Sequence, residues 1–154
     1  MPKEEVELLV IALSSPIYIG VYKEQKLIKT IKSDEKSSEI LPLLFEEIMK
    51  EYDVKSLFFA NGPGSFMAIK VTYIFLKSLS ILKKIPLFAT SAFNFNENTP
   101  IKAIGKLHFV KVASEIKTQK LETAPEVKFT LPTQLDYSEF TSNATPLYII
   151  GAVG

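Results

Sequence analysis

Short apolar runs broken by turn residues dominate the first half of this chain, and they predict alternating strands and helices. The first run is apolar at nearly every position, which is typical of a central strand buried on both faces. The third run alternates weakly between apolar and polar positions, as edge strands often do. Two longer segments carry apolar residues at helical spacing. The predicted strands are 6–13, 17–22, 26–31, 56–60 and 85–88, and the predicted helices are 39–52 and 65–84.

The element order is three strands, helix, strand, helix, strand. Three short connections followed by two crossovers predict a mixed sheet flanked by helices. This is the α/β half-fold called actin-like or ribonuclease H-like (the ASKHA fold). The asparagine-rich segment 93–100 predicts a linker. We therefore expect an actin-like N-terminal lobe at 1–95 and a reduced, truncated C-terminal lobe at 96–154, with strands at 106–113, 127–131 and 147–150.

The junction between the fourth strand and the second helix holds two glycines around a proline. Its residues are Asn61, Gly62, Pro63, Gly64, Ser65 and Phe66. Ser65 is placed to cap the helix, and the turn can direct backbone N–H groups at an anion or at a partner's loop. A tight connection without any ligand explains the glycines equally well.

The second helix has apolar residues on almost every side. Its polar stripe is Lys70, Lys77 and Lys84, spaced by seven residues and therefore narrow. A surface helix normally keeps a broad polar face, so this helix needs a cover besides its own sheet. The second lobe could supply it, as could a homodimer or a heteromer, and we expect a partner, with Tyr73 facing outward.

Composition removes several classes of function. The net charge is +1, and all 18 basic residues are lysines, which weakens any function that needs bidentate phosphate contacts. The chain has no cysteine and one histidine, His108, so no metal site and no cofactor of its own are expected. Neither a Walker A loop nor a nucleophile elbow is present, and no catalytic residue is assigned. With no signal peptide and no membrane-spanning run, a cytoplasmic protein is expected.

Three motifs resemble one family. Residues 62–68 read Gly-Pro-Gly-Ser-Phe-Met-Ala, similar to Gly-Pro-Gly-Ser-Phe-Thr-Gly, and residues 38–42 and 85–91 are similar to that family's first-helix start and following strand. On these motifs the chain resembles the TsaB (YeaZ) family over residues 6–93.

The resemblance implies a non-catalytic scaffold for TsaD, the enzyme that forms N6-threonylcarbamoyladenosine at position 37 of tRNA. It implies a heterodimer with a TsaD-like protein through helices 39–52 and 65–84, with TsaE near the junction and tRNA contacted only indirectly. The interface residues it implies are Ile40, Leu44, Ile48, Ile69, Lys70, Tyr73, Leu76 and Lys77.

One departure from the family bears directly on chemistry. Leu13 stands where the family has an aspartate, the residue that helps hold metal and phosphates in actin-like ATPases. A leucine cannot bind a hard cation, which favours a scaffold over an enzyme. Two alternatives stay open: a nucleotide- or small-molecule-binding protein with a rebuilt site, and a self-associating homodimer.

Overall fold

The computed structural model describes residues 2–103, 105–123 and 128–147, and its largest element is a five-stranded mixed sheet. In chain order the strands are β1 (Glu4–Ile11), β2 (Ile17–Lys23), β3 (Lys26–Ser33), β4 (Tyr52–Ala60) and β5 (Leu87–Thr90). They lie in the order β3-β2-β1-β4-β5. The first three form an antiparallel meander, and β4 pairs in parallel with both β1 and β5.

The central strand β1 separates two apolar cores because its side chains alternate between the two faces of the sheet. Val6, Leu8 and Val10 belong to one buried cluster, and Leu9 and Ile11 to the other. This explains why the first run is apolar at every position except Glu7.

Two helices cover one face of the sheet: α1 (Ser37–Glu51) and α2 (Phe66–Lys83). They pack side by side, and the rings of Phe45 and Phe75 meet edge to face at 5.1 Å. The side chain of Ser65 caps α2 by accepting a hydrogen bond from the Ala68 backbone N–H. Within the described chain, neither helix is long and apolar enough to cross a bilayer.

The opposite face is covered by a second, three-stranded sheet and the segments around it. Its strands are β6 (Ile101–Lys102), β7 (Leu107–Val112) and β8 (Glu115–Lys120), in the order β6-β7-β8. Ile101 and Phe109 are buried in the same cluster as Leu9 and Ile11. The expected division into lobes at residue 95 stays a prediction.

A return segment, residues 133–141, reaches both edges of the first sheet. At one edge the Leu27 backbone N–H donates to the Thr133 carbonyl at 2.9 Å. At the other edge Ala89 and Thr141 exchange two backbone hydrogen bonds, at 2.8 and 2.9 Å. Both open edges of the sheet are therefore partly capped by one stretch of chain.

Between its two ends the return segment packs on the face that the helices leave free. Leu135 is fully buried, and the rings of Tyr137 and Phe140 pack on Phe58 with centroid distances of 5.7 and 4.8 Å. Burial and the hydrogen bond that its hydroxyl donates to Glu7 raise the pKa of Tyr137 to about 12. The return segment is thus held by apolar packing and by side-chain hydrogen bonding.

All seven elements predicted in the first half of the chain are confirmed, with their ends shifted by a few residues. The linker at 93–100 is wrong at its beginning, where Ala92–Phe95 forms a 3₁₀ helix that buries Phe93 and Phe95. The strand at 106–113 is confirmed as β7. Residues 128–131 form no strand, and Val127 and residues 148–150 lie outside the described residues.

Candidate functional site

The glycine turn between β4 and α2 has a backbone that requires glycine at Gly62. Its φ is 123°, a region that side-chain-bearing residues rarely adopt. The turn is anchored to its surroundings because the Ala92 backbone N–H donates to the Gly62 carbonyl at 2.8 Å. Gly62 and Pro63 are buried. The turn is a packed junction.

Leu13 lies directly against the second glycine of this turn. A Cβ atom added to Gly64 would come within 3.0 Å of the Leu13 Cβ atom, and the Ser65 backbone N–H donates to the Leu13 carbonyl at 3.1 Å. Leu13 is itself 1% exposed. Leu13 is therefore a core residue that fills the space beside Gly64.

The other side of the turn is covered by residues 145–147. The Asn61 side-chain amide donates to the Thr145 carbonyl at 2.8 Å, and the Leu147 backbone N–H donates to the Asn61 carbonyl at 2.8 Å. A Cβ atom at Gly62 would meet the Leu147 carbonyl oxygen at 3.0 Å. The chain's own residues thus occupy the space next to both glycines, and Phe66 packs half-buried at the edge of the same core.

Helix α2 presents an apolar surface to solvent along most of its length. Met67, Ile74 and Ile81 are 69%, 53% and 66% exposed, and Leu82 is 78% exposed. The first three are spaced by seven residues, so they form one nearly straight line along the helix. We call these four residues the α2 outer face. On the neighbouring α1, Leu43 is exposed as well.

Two solved structures share this architecture. YeaZ from Pseudomonas aeruginosa aligns with a TM-score of 0.54 at 13% sequence identity, over 76% of this chain and 65% of that one. This chain has the YeaZ fold. The second structure is described as an uncharacterized protein with similarity to peptidase YEAZ from Pseudomonas aeruginosa; it aligns with a TM-score of 0.55 at 13% identity, over 76% of this chain and 64% of that one.

The likeness to YeaZ is one of fold, and the chain spans less than two thirds of the length of either structure. No protein-family model and no curated protein matches the sequence. The predicted α/β architecture, a mixed sheet with flanking helices and a small second lobe, is confirmed.

Three of the expected interface residues lie in the core of this chain. Ile48, Ile69 and Leu76 are at most 4% exposed, so they cannot contact a partner from this conformation. Tyr73 is half-buried, with its ring stacked on Phe59 of β4 at a centroid distance of 6.3 Å, and its place in an interface stays a prediction. Of the remaining expected residues, Ile40 and Leu44 are half-buried, and Lys70 and Lys77 are exposed.

The α2 outer face was missed because the helix is apolar all round, which leaves its rotation undefined by hydrophobic spacing. The lysines do not resolve the rotation either. Ile74 lies four residues after Lys70 and three before Lys77, and Tyr73 lies three after and four before, so helical spacing places both residues equally near the lysine stripe.

Within the described residues, no group of three or more His, Cys, Asp or Glu side chains is arranged to hold a metal ion. His108 lies on β7, and its Nδ1 is 2.8 Å from the Lys106 carbonyl oxygen. The side chains gathered around the glycine turn are mainly apolar, so the turn's geometry supports packing and presentation of α2.

Proposed function

We propose that this chain is a non-catalytic scaffold that binds a TsaD-like protein and supports the formation of N6-threonylcarbamoyladenosine at position 37 of tRNA. The observation that carries the proposal is the α2 outer face. Exposed apolar surfaces of this kind mark sites of protein association. The YeaZ fold and the sequence motifs around Gly62 support a TsaD-like protein as the partner.

The glycine turn supports a role in presenting α2 instead of in catalysis. Leu13 and residues 145–147 fill the space around the turn. The turn and the Ser65 cap then fix where α2 begins, which positions Met67 and Ile74 for contact with a partner. In this proposal the TsaD-like protein performs the chemistry.

The test is light scattering coupled to size-exclusion chromatography, on this protein alone and mixed with the TsaD-like protein of the same organism. We expect a mixed complex for the natural sequence and its loss for Ile74→Asp, which places a charge in the α2 outer face. Ile28→Asp is the matched control because Ile28 is 46% exposed on β3, away from the helices. This variant should still form the complex.

Failure of the natural protein to bind the TsaD-like protein would overturn the proposal. A homodimer that Ile74→Asp dissociates, and that the TsaD-like protein does not displace, would favour the self-associating alternative. The amount of N6-threonylcarbamoyladenosine in tRNA, measured in cells that carry Ile74→Asp in place of the natural gene, would connect binding to function. We expect this amount to be lower than in cells with the natural gene.

A further inference from the structure

The two helices that cover the first sheet carry charges of opposite sign. Helix α1 contains four glutamates and one lysine, whereas α2 contains three lysines and no acidic residue. The helices pack side by side through Phe45 and Phe75. The surface that they form together, which we call the two-helix surface, therefore has an acidic half and a basic half.

On the basic half, lysines border the centre of the α2 outer face. Ile74 is 53% exposed, with Lys70 four residues before it and Lys77 three residues after it, so both lysines are its neighbours on the helix surface. Both lysines are exposed, and neither forms an ion pair with another described residue. An apolar side chain between two such cations fits a partner surface that carries carboxylates around an apolar contact.

The acidic half repeats this arrangement with the opposite sign. Leu43 on α1 is 58% exposed. Its neighbours three or four residues away along the helix include Glu39, Glu46 and Glu47. Glu46 pairs with Lys50 of the same helix at 3.5 Å, and no ion pair joins α1 to α2 among the described residues. The acidic half therefore fits basic side chains of a partner.

A second copy of this chain fits the centre of the α2 outer face poorly. If two copies met at Ile74, the lysines at positions 70 and 77 of both copies would surround a single contact. Like charges brought together in one interface are unfavourable. A different protein can carry carboxylates at this place, so the charge pattern favours a heteromeric partner.

We propose that the TsaD-like partner meets the two-helix surface with complementary charges: carboxylates beside an apolar contact with Ile74, and basic side chains opposite Glu39 and Glu47. This chemistry of the partner's surface depends on the proposed function, since it requires that a TsaD-like protein binds here. The two opposed halves also fix the orientation of the partner, because a reversed partner would bring like charges together.

The test is the affinity of the full chain for the TsaD-like protein of the same organism, measured by isothermal titration calorimetry at low and at high salt. Between about 50 mM and about 500 mM NaCl we expect the affinity to fall about tenfold or more, because salt screens charge pairs at an interface. The absence of a complex at low salt would overturn the proposed function and the complementary charges together. A complex with equal affinity at both salt concentrations would overturn the complementary charges alone.

Two charge reversals separate local pairing from a general effect of net charge. Lys77→Glu lowers the net charge of the chain and Glu47→Lys raises it, yet each should weaken binding about tenfold at low salt. Both residues are exposed, and lysine and glutamate have similar helix propensities, so the two variants should fold. Opposite effects of the two reversals on the affinity would show that the partner responds only to net charge, which would contradict the proposal.

Lys120→Glu is the matched control for Lys77→Glu because it makes the same change of charge. Lys120 is exposed on β8, whose sheet covers the face opposite the helices, so this variant should keep the natural affinity. Light scattering on the three variants tests the competing occupant. If Lys77→Glu or Glu47→Lys dissociated a homodimer and left the mixed complex intact, the two-helix surface would serve a second copy, and the proposal would be overturned.

Discussion

At the scale of single residues, the contact between Leu13 and Gly64 ties the glycine turn to β1. The leucine side chain fits because Gly64 has no Cβ atom, and the Leu13 carbonyl accepts the Ser65 backbone N–H in the same place. The two positions are therefore coupled, and a change at either requires the other to move. The motif alone did not show this contact, because 50 residues, from Ser14 to Pro63, separate Leu13 from Gly64 in sequence.

Introducing an aspartate at this position, with Leu13→Asp, should destabilise the fold without creating a metal site. The new carboxylate would be buried in an apolar cluster with no ionic partner provided for it. We expect the free energy of unfolding in urea to fall by about 3 kcal/mol or more. Leu13→Met keeps the side-chain volume and should lower the free energy of unfolding by less than about 1.5 kcal/mol.

Magnesium gives the decisive comparison for the same variant. If Mg²⁺ raised the stability of Leu13→Asp but not that of Leu13→Met, a latent cation site would exist beside Gly64. We expect the urea midpoints of both proteins to be unchanged by the ion.

At the scale of elements, α2 shows which properties the sequence determines and which it leaves open. The helix itself was predictable, since its apolar positions are dense, its N-cap is a serine and its neighbours are strands. Its rotation was not predictable from hydrophobic spacing, because Ile69, Tyr73, Ile74 and Leu76 are all apolar or aromatic. Burial of Thr72 further obscured the core-facing side.

The rotation of α2 makes a prediction that separates two adjacent residues. Tyr73→Asp removes a ring that stacks on Phe59 and brings a charge toward the core, so it should lower the free energy of unfolding by about 2 kcal/mol. Ile74 lies on the α2 outer face, so Ile74→Asp should change the free energy of unfolding by less than about 0.5 kcal/mol. Thermal and urea denaturation of the two variants measure the difference. A larger loss for Ile74→Asp would mean that the helix is rotated the other way.

At the scale of the whole molecule, the return segment joins parts of the chain that local patterns cannot connect. The five strands and two helices of the first half follow from periodicity, which is a local property. Residues 133–141 are polar and irregular, and their position depends on pairing with Leu27 and Ala89 far away in sequence. The same holds for the filling of the glycine turn by residues 145–147.

Removing the central apolar anchor of the return segment should weaken the whole fold. Leu135 is fully buried, so Leu135→Ala should lower the free energy of unfolding by about 2–5 kcal/mol. Leu107→Ala is the control. Leu107 is 36% exposed, so this variant should lower the free energy of unfolding by less than about 1 kcal/mol. Urea denaturation provides both values, and equal losses would show that the return segment is not an integral part of the core.

The return segment also affects how the protein is made. At about 5–20 residues per second, a ribosome needs ~3–10 s to add the roughly fifty residues between Thr90 and Thr141. During that time all five strands of the first sheet have been synthesised, but the return segment that pairs with its edges at Leu27 and Ala89 has not. Unpaired strand edges are templates for wrong association. Synthesis is therefore the stage at which this sheet is most exposed to pairing with another chain.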